Sequence, residues 1–181
     1  LKTKMNIIDN EIIFIYSGSL GNNWNNPKVY ARFIKNLRKV DIPHRFLFVT
    51  PNVKELKRTF KKYVIRHQEY FTVSATLEKV PKYLSVGDFG LNLMDRLDIR
   101  MSIKTSEYLA MGLPIITNSK VLGAKEIVEQ YKVGLVLDDF ENSSIKKLKD
   151  IIKKKDHMVL KCIRVADENF STEEVAKRCR G

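Results

Sequence analysis

The sequence predicts a doubly wound α/β domain built on a parallel sheet of about six strands. Short apolar runs alternate with amphipathic helical patterns along most of the chain, which is the signature of a parallel sheet with crossover helices. The first two runs are almost wholly apolar, as expected for strands that helices cover on both faces. The predicted strands are residues 12–16, 46–49, 70–73, 89–93, 115–117 and 134–137.

The clearest helical pattern lies between the first two predicted strands. Asn26 followed by Pro27 is typical of a helix start, since Asn caps free N–H groups and Pro suits the first helical position. Two strongly basic segments, 54–62 and 146–155, also keep helical spacing of their apolar residues. Right-handed crossovers would bring every strand-to-helix loop to one edge of the sheet. Beyond residue 137 the chain becomes helical, and residues 171–174 match a capping box.

Composition favours one domain over residues 1–181. The chain is 44% hydrophobic, enough to bury one core. Cys162 and Cys179 are too few and too far apart for a zinc cluster or a disulfide scaffold, so we expect reduced thiols. The three histidines are scattered and do not favour a metal site or a catalytic triad. No apolar run approaches the roughly 20 residues of a membrane span, and the first residues lack a signal-peptide core, so we expect a cytoplasmic protein.

The formal charge of +12 favours anionic partners. Much of the excess lies on the two basic helical segments, which we interpret as a solvated outer face. Aromatic residues do not interleave with the Lys and Arg residues, so no specific nucleic-acid partner is expected. A peripheral contact with the inner face of a membrane is compatible with the charge.

The segment 104–116 is the most informative part of the sequence. A short helix that includes Glu107 is followed by Gly112, which supplies a C-terminal stop, and by Pro114, which prevents continuation. A buried strand comes next. The crevice at the carboxyl ends of parallel strands is where ligands bind. Glu107 there would suit hydrogen bonds from sugar hydroxyls, whereas the alternative is a solvated surface glutamate.

A glycine-bearing turn follows the first predicted strand. Gly18 and Gly21 would let backbone amides approach a diphosphate. The turn is not G-x-G-x-x-G, and Thr50 stands near the end of the second strand where an acid would be needed. Binding of a nicotinamide dinucleotide is therefore disfavoured.

Three motifs together resemble one enzyme family. The runs are Y-S-G-S-L-G at 16–21, E-Y-L-A-M-G-L-P-I-I at 107–116 and F-S-T-E-E-V-A at 170–176. They resemble the C-terminal, donor-binding domain of GT-B glycosyltransferases of the retaining, group 1 (family four) kind. The resemblance implies a Rossmann-like domain that forms the C-terminal half of a GT-B fold. A second domain, usually N-terminal, would bind the acceptor and is absent from this chain.

The resemblance also implies roles for individual residues. Glu107 would bind the ribose and Lys104 the diphosphate, and these two are the candidate catalytic residues. The sequence departs from the family at Ser19, where a basic residue is usual, and at Ile99, where a second Glu is usual; Asp95 or Asp98 is a candidate substitute for that Glu. The candidate nucleotide-binding residues are Gly18, Ser19, Leu20, Gly21, Thr50, Lys104, Glu107, Tyr108 and Leu109, the last two through the backbone near the phosphates. The candidate sugar or phosphate contacts are Asp95, Arg96 and Arg100.

The function implied is transfer of a sugar, with retention, from a nucleotide-diphosphate sugar to a glycan or lipid-linked acceptor. A place in polysaccharide biosynthesis follows from the same resemblance. No metal or other cofactor is expected, because basic groups and helix N-termini can meet the donor's charge. This chain alone is expected to be inactive. Two alternatives stay open: half of a sugar-nucleotide epimerase, and a non-catalytic basic domain that binds nucleotides or nucleic acid.

Overall fold

The computed structural model describes residues 2–8, 10–21 and 25–171 and contains a six-stranded parallel sheet. The strand order is β3-β2-β1-β4-β5-β6. All six predicted strands are confirmed, and their ends differ from the prediction by one or two residues at most. The strands are β1 (Ile12–Ser17), β2 (His44–Val49), β3 (Tyr70–Val73), β4 (Phe89–Asn92), β5 (Ile115–Thr117) and β6 (Gly134–Val136).

The chain reverses its direction across the sheet between β1 and β4. The first three strands run outward from β1 on one side, and the last three run outward from β4 on the other. Phe14 of β1 lies in register with Phe46 of β2 and with Phe89 of β4. At such a switch point the two neighbouring loops leave in opposite directions and open a crevice.

Seven α-helices lie in the described part of the chain. The predicted cap is confirmed, since the Asn26 side chain accepts a hydrogen bond from the Lys28 N–H at 3.0 Å. The predicted capping box at 171–174 lies outside the described residues except for Ser171. None of the described helices has the length and apolar character needed to cross a membrane. The helices are α1 (Pro27–Leu37), α2 (Val53–Lys62), α3 (Val80–Leu84), α4 (Ile103–Ala110), α5 (Leu122–Tyr131), α6 (Asn142–Lys153) and α7 (Lys155–Phe170).

Aromatic side chains form the centre of the core. The ring of Phe14 stacks on Phe46 at 5.4 Å and on Phe89 at 5.6 Å between ring centroids. β1 is buried along its whole length, which confirms that both of its faces are covered. Cys162 is a free, buried cysteine, and burial raises the pKa of its thiol to about 12. Its thiol is therefore an inert part of the core. Cys179 lies outside the described residues.

Helix α4 is held against the ends of β1 and β4 by one buried side chain. The Tyr108 hydroxyl accepts a hydrogen bond from the Ser17 N–H at 2.9 Å and donates one to the Leu91 carbonyl at 3.2 Å. Gly90 lets the Tyr108 ring approach, because a Cβ at position 90 would lie 2.3 Å from that ring. The helix ends as predicted, with Gly112 at φ +72° just beyond it. These contacts fix the direction in which α4 presents its polar residues.

Candidate functional site

A cavity of about 780 Å³, called the main cavity below, opens at the carboxyl ends of β1 and β4, at the switch point of the sheet. Ser17 and Gly18 contribute from the end of β1, and the loop after β4 contributes Asp98 and Arg100. The lining combines apolar and charged side chains. The apolar ones include Leu77, Val80, Leu84, Met101 and Met111. A cavity of this size and character suits a small organic ligand with a few polar anchors.

Lys104 and Glu107 both line this cavity from α4. They are three residues apart, so they share one face of the helix. Lys104 passes close to Gly18, since a Cβ at position 18 would lie 3.7 Å from both its Cδ and its Nζ. Its Nζ lies 5.6 Å from the centroid of the Tyr16 ring, within the range of a cation–π contact. The structure therefore brings the two predicted catalytic residues together beside the predicted turn.

Partial burial acts on both charges. Burial holds the pKa of the Lys104 ammonium below its ordinary value, and attraction to Glu107 and Asp98 offsets part of that shift. Burial likewise raises the pKa of the Glu107 carboxyl, and Lys104 opposes that shift. Each group thus stabilises the charged form of the other in a partly desolvated place. A cation and a carboxylate face one cavity, so it can receive an anionic group and hydroxyl donors side by side.

Asp98 and Arg100 form an ion pair in the wall of the same cavity. The Arg100 Nε donates to Asp98 Oδ1 at 2.8 Å, and a terminal guanidinium nitrogen donates to Oδ2 at 3.1 Å. The bond with Arg100 is the main reason that the pKa of Asp98 is lowered. The sequence suggested both residues only as separate candidates. A short D-x-R spacing on a loop was the available signal for the pair.

The glycine-bearing turn uses several of its own amides internally. The Gly18 N–H donates to the Val49 carbonyl at 3.0 Å, and the Leu20 N–H donates to the Asn52 side chain at 3.0 Å. The Gly21 N–H donates to the Asn25 carbonyl at 2.9 Å. These three N–H groups therefore have partners before any ligand arrives, which shifts the weight of phosphate binding to side chains.

Several predicted nucleotide contacts are core residues. Leu20, Thr50, Tyr108 and Leu109 are buried, and none of their side chains lines the main cavity. The contact predicted near Tyr108 and Leu109 is one of the backbone, and it stays a prediction. The Thr50 hydroxyl accepts a hydrogen bond from the Asn52 N–H at 3.2 Å. The exposed Ser19 does not line the cavity either, and its carbonyl accepts a hydrogen bond from the Tyr16 hydroxyl at 2.7 Å. A sequence motif does not separate residues that touch a ligand from those that hold the site in shape.

The structure places the candidate residues of the loop between β4 and α4 in two different cavities. Asp95 and Arg96 line a second cavity of about 270 Å³, together with Gly21. The Asp95 carboxylate accepts a hydrogen bond from the Asn26 side chain at 2.9 Å. Of the predicted sugar or phosphate contacts, Arg100 alone lines the main cavity.

Comparison with known proteins gives the family. Residues 31–178 match the profile of the glucosyltransferase 3-like C-terminal domain. The chain belongs to this family. Comparison with curated protein sequences finds no match. The glucosyltransferase 3-like assignment agrees with the predicted resemblance to the C-terminal domain of a GT-B glycosyltransferase.

Solved structures of glycosyltransferases share the fold of this chain. WaaG, a glycosyltransferase involved in lipopolysaccharide biosynthesis, shares 16% sequence identity with this chain and superposes with a TM-score of 0.69. The match covers 98% of this chain and 48% of the WaaG chain. Sucrose-phosphate synthase from Thermosynechococcus elongatus is 14% identical with a TM-score of 0.72, and the match covers 99% of this chain and 46% of the synthase. HepE from Anabaena, solved with UDP and glucose, is 13% identical with a TM-score of 0.72, and the match covers 99% of this chain and 50% of HepE. This glucosyltransferase 3-like chain thus has the predicted Rossmann-like fold, matches one half of these GT-B structures and spans about half of their length.

Proposed function

We propose that this chain is the donor-binding domain of a glycosyltransferase that uses a nucleotide-diphosphate sugar. The sugar would be moved, with retention, to a glycan or lipid-linked acceptor bound by a second domain. Membership of the glucosyltransferase 3-like family supports the reaction class. Retention, the acceptor and a role in polysaccharide biosynthesis rest on the resemblance in sequence alone.

The observation that carries the proposal is the pairing of Lys104 with Glu107 in one cavity at the switch point. A carboxylate has only acceptor oxygens, so Glu107 suits the two hydroxyl donors of a ribose. An ammonium is a compact cation, so Lys104 suits a diphosphate. The two requirements meet in a nucleoside diphosphate. HepE, a structure with this fold, was solved with UDP and with UDP-glucose, which supports the same class of donor.

The chemistry assigned to this domain is stabilisation of the leaving group. When the bond between sugar and diphosphate breaks, negative charge grows on the diphosphate. A cation held in a partly desolvated wall stabilises that charge without having to reorganise. Lys104 meets this description because it is half-buried and lies close to Gly18 and to the Tyr16 ring.

Thermal unfolding in the presence of candidate ligands tests the proposal. The panel contains nucleoside diphosphates, their sugar conjugates and the matching nucleosides. A ligand at 100 times its Kd stabilises a protein by about 2.7 kcal/mol, so one base should give a clear shift. The diphosphate of that base should raise the unfolding temperature more than its nucleoside does. Absence of a shift with every nucleoside diphosphate and sugar conjugate would contradict the proposal, and a shift with nucleic acid alone would favour the non-catalytic alternative.

A further inference from the structure

The loop between β4 and α4 brings a second cation to the main cavity. Arg100 lines it, as does Lys104. The turn after β1 has no cation, because its residues 17–21 are Ser, Gly, Ser, Leu and Gly. The Arg100 side chain keeps 61% of its surface exposed, whereas the Asp98 side chain beneath it keeps 6%. The pair therefore joins a buried carboxylate to an accessible guanidinium.

We propose that Asp98 is a positioning residue, which holds the Arg100 guanidinium in the cavity wall as a second cation, beside Lys104, for the diphosphate of the donor. This inference rests on the proposed function. Arg100 would touch the diphosphate, and Asp98 would act through Arg100.

The contacts of Asp98 fit this role because they fix both ends of the pair. Its carboxylate accepts hydrogen bonds from Nε, from a terminal nitrogen and from the backbone N–H of Arg100, the last at 3.1 Å. Its own backbone is tied to the segment before α5: its N–H donates to the Lys120 carbonyl at 2.7 Å, and its carbonyl accepts from the Leu122 N–H at 3.0 Å. A long flexible side chain is thus held to a rigid part of the fold, which lowers the ordering cost of binding an anion.

The charges around Lys104 support the same arrangement. Lys104 is faced by Glu107 from its own helix, by Asp98 from the loop after β4, and by the Tyr16 ring from β1. Asp98 favours the charged form of Lys104, so one buried carboxylate serves both cations. Without it, two cations in a shared wall would repel each other and Lys104 would lose part of its compensation for burial.

Binding of UDP and of uridine to matched variants tests the inference, because uridine lacks the diphosphate. If another base gives the larger thermal shift, that nucleoside diphosphate and its nucleoside replace them. Arg100→Gln and Asp98→Asn should each weaken binding of the diphosphate at least about tenfold and leave the nucleoside unchanged, as expected when one charge-assisted bond is lost. Arg58→Gln is the control, since Arg58 is an exposed cation of α2 that does not line the main cavity.

Two further measurements separate positioning from a merely structural role. At a pH below the alkaline decline, where Lys104 stays charged in every variant, Asp98→Asn should add little to the loss in an Arg100→Gln background, because Asp98 then acts through Arg100. Removing Asp98 also removes a group that raises the pKa of Lys104. The pH at which diphosphate affinity declines on the alkaline side should therefore move down in Asp98→Asn and stay unchanged in Arg58→Gln.

The outcomes distinguish this inference from the function on which it rests. Unchanged diphosphate affinity in Arg100→Gln, or an equal loss in Arg58→Gln, would overturn the inference and leave the donor-binding proposal standing. Additive losses in the double variant would assign Asp98 a separate structural role and would also overturn it. Failure of the unaltered chain to bind any nucleoside diphosphate would overturn the proposed function itself.

Discussion

At the scale of single residues, Glu107 has two competing interpretations. Its carboxylate either contacts the ligand or is a solvated acid on the surface. If its carboxylate accepts hydrogen bonds from ribose hydroxyls, Glu107→Ala should weaken nucleotide binding by roughly 1.5 to 3 kcal/mol, and Glu107→Gln should cost less because an amide keeps one acceptor. Calorimetric titration measures both. Glu126→Ala, which removes an exposed acid of α5, is the matched control. Unchanged affinity in Glu107→Ala would return this residue to the solvated surface.

The pH dependence of binding tests the same carboxylate. Burial raises the pKa of Glu107 above its ordinary value of 4.5, and Lys104 limits that rise. Since the ionised form is the acceptor, affinity for a nucleotide sugar should fall as the pH drops through this raised pKa. A nucleotide sugar is the right probe because its diphosphate is a diester with no terminal phosphate to titrate. The acid decline should vanish in Glu107→Gln; its persistence there would assign it to another group.

The donor's charge should be met by side chains at this site. Lys104 and Arg100 both line the cavity, and cations of this kind can replace a metal ion in stabilising a diphosphate. Chelation with EDTA should therefore leave nucleotide affinity unchanged. Calorimetric titration with and without EDTA, and with added Mg²⁺, measures this. A loss of affinity that Mg²⁺ restores would show that the cations are insufficient.

At the scale of elements, the packing of α4 on β4 is as important as the charges that the helix carries. A Cβ at position 90 would lie 2.3 Å from the fully buried Tyr108 ring, so Gly90→Ala forces α4 away from the sheet. Overpacking of this kind costs about 1 to 3 kcal/mol. Chemical denaturation should show that loss, together with weaker nucleotide binding. Ser106→Ala, on a partly exposed side of the same helix, should change stability by less than about 0.5 kcal/mol. Normal affinity in a destabilised Gly90→Ala would separate packing from the site.

The elements were predictable because their signals are local. Six apolar runs predicted six strands, and the acid, glycine and proline of segment 104–116 predicted α4, its end and the acid that lines the cavity. The site was only partly predictable because its remaining features depend on contacts between distant segments. The amides of the turn after β1 are bonded to Val49, Asn52 and Asn25. Nothing in the local pattern of the turn shows that its donors are already used.

The pairing of Asp98 with Arg100 was missed for a similar reason. It lies on a loop, where no periodicity shows which side chains share a face. The β-bridge between Asp98 and Val121 joins segments that are separated in sequence by α4 and β5. A D-x-R spacing could have suggested an ion pair, but only the fold shows that the pair lines the same cavity as Lys104.

At the scale of the whole molecule, the basic excess lies mainly away from the cavity. The amphipathic pattern predicted for both basic segments is confirmed, although the second is divided between α6 and the start of α7. Leu56 and Phe60 are buried in α2, and Leu148 is buried in α6. The opposite faces expose Lys54, Lys57, Arg58, Lys61, Lys62, Lys146, Lys147 and Lys153. None of these cations lines the main cavity.

The distance between the basic helix faces and the cavity predicts how the chain should bind polyanions such as DNA. Exposed lysines on helix faces bind phosphates through counterion release, so DNA binding should be weak, indifferent to sequence, and reduced steeply between roughly 50 and 200 mM salt. Fluorescence anisotropy with two unrelated duplexes over that range measures it. A nucleoside diphosphate should not compete with the DNA, because the two occupy different surfaces. Tight binding to one sequence at physiological salt, or competition by the nucleotide, would instead place nucleic acid at the cavity and favour the non-catalytic alternative.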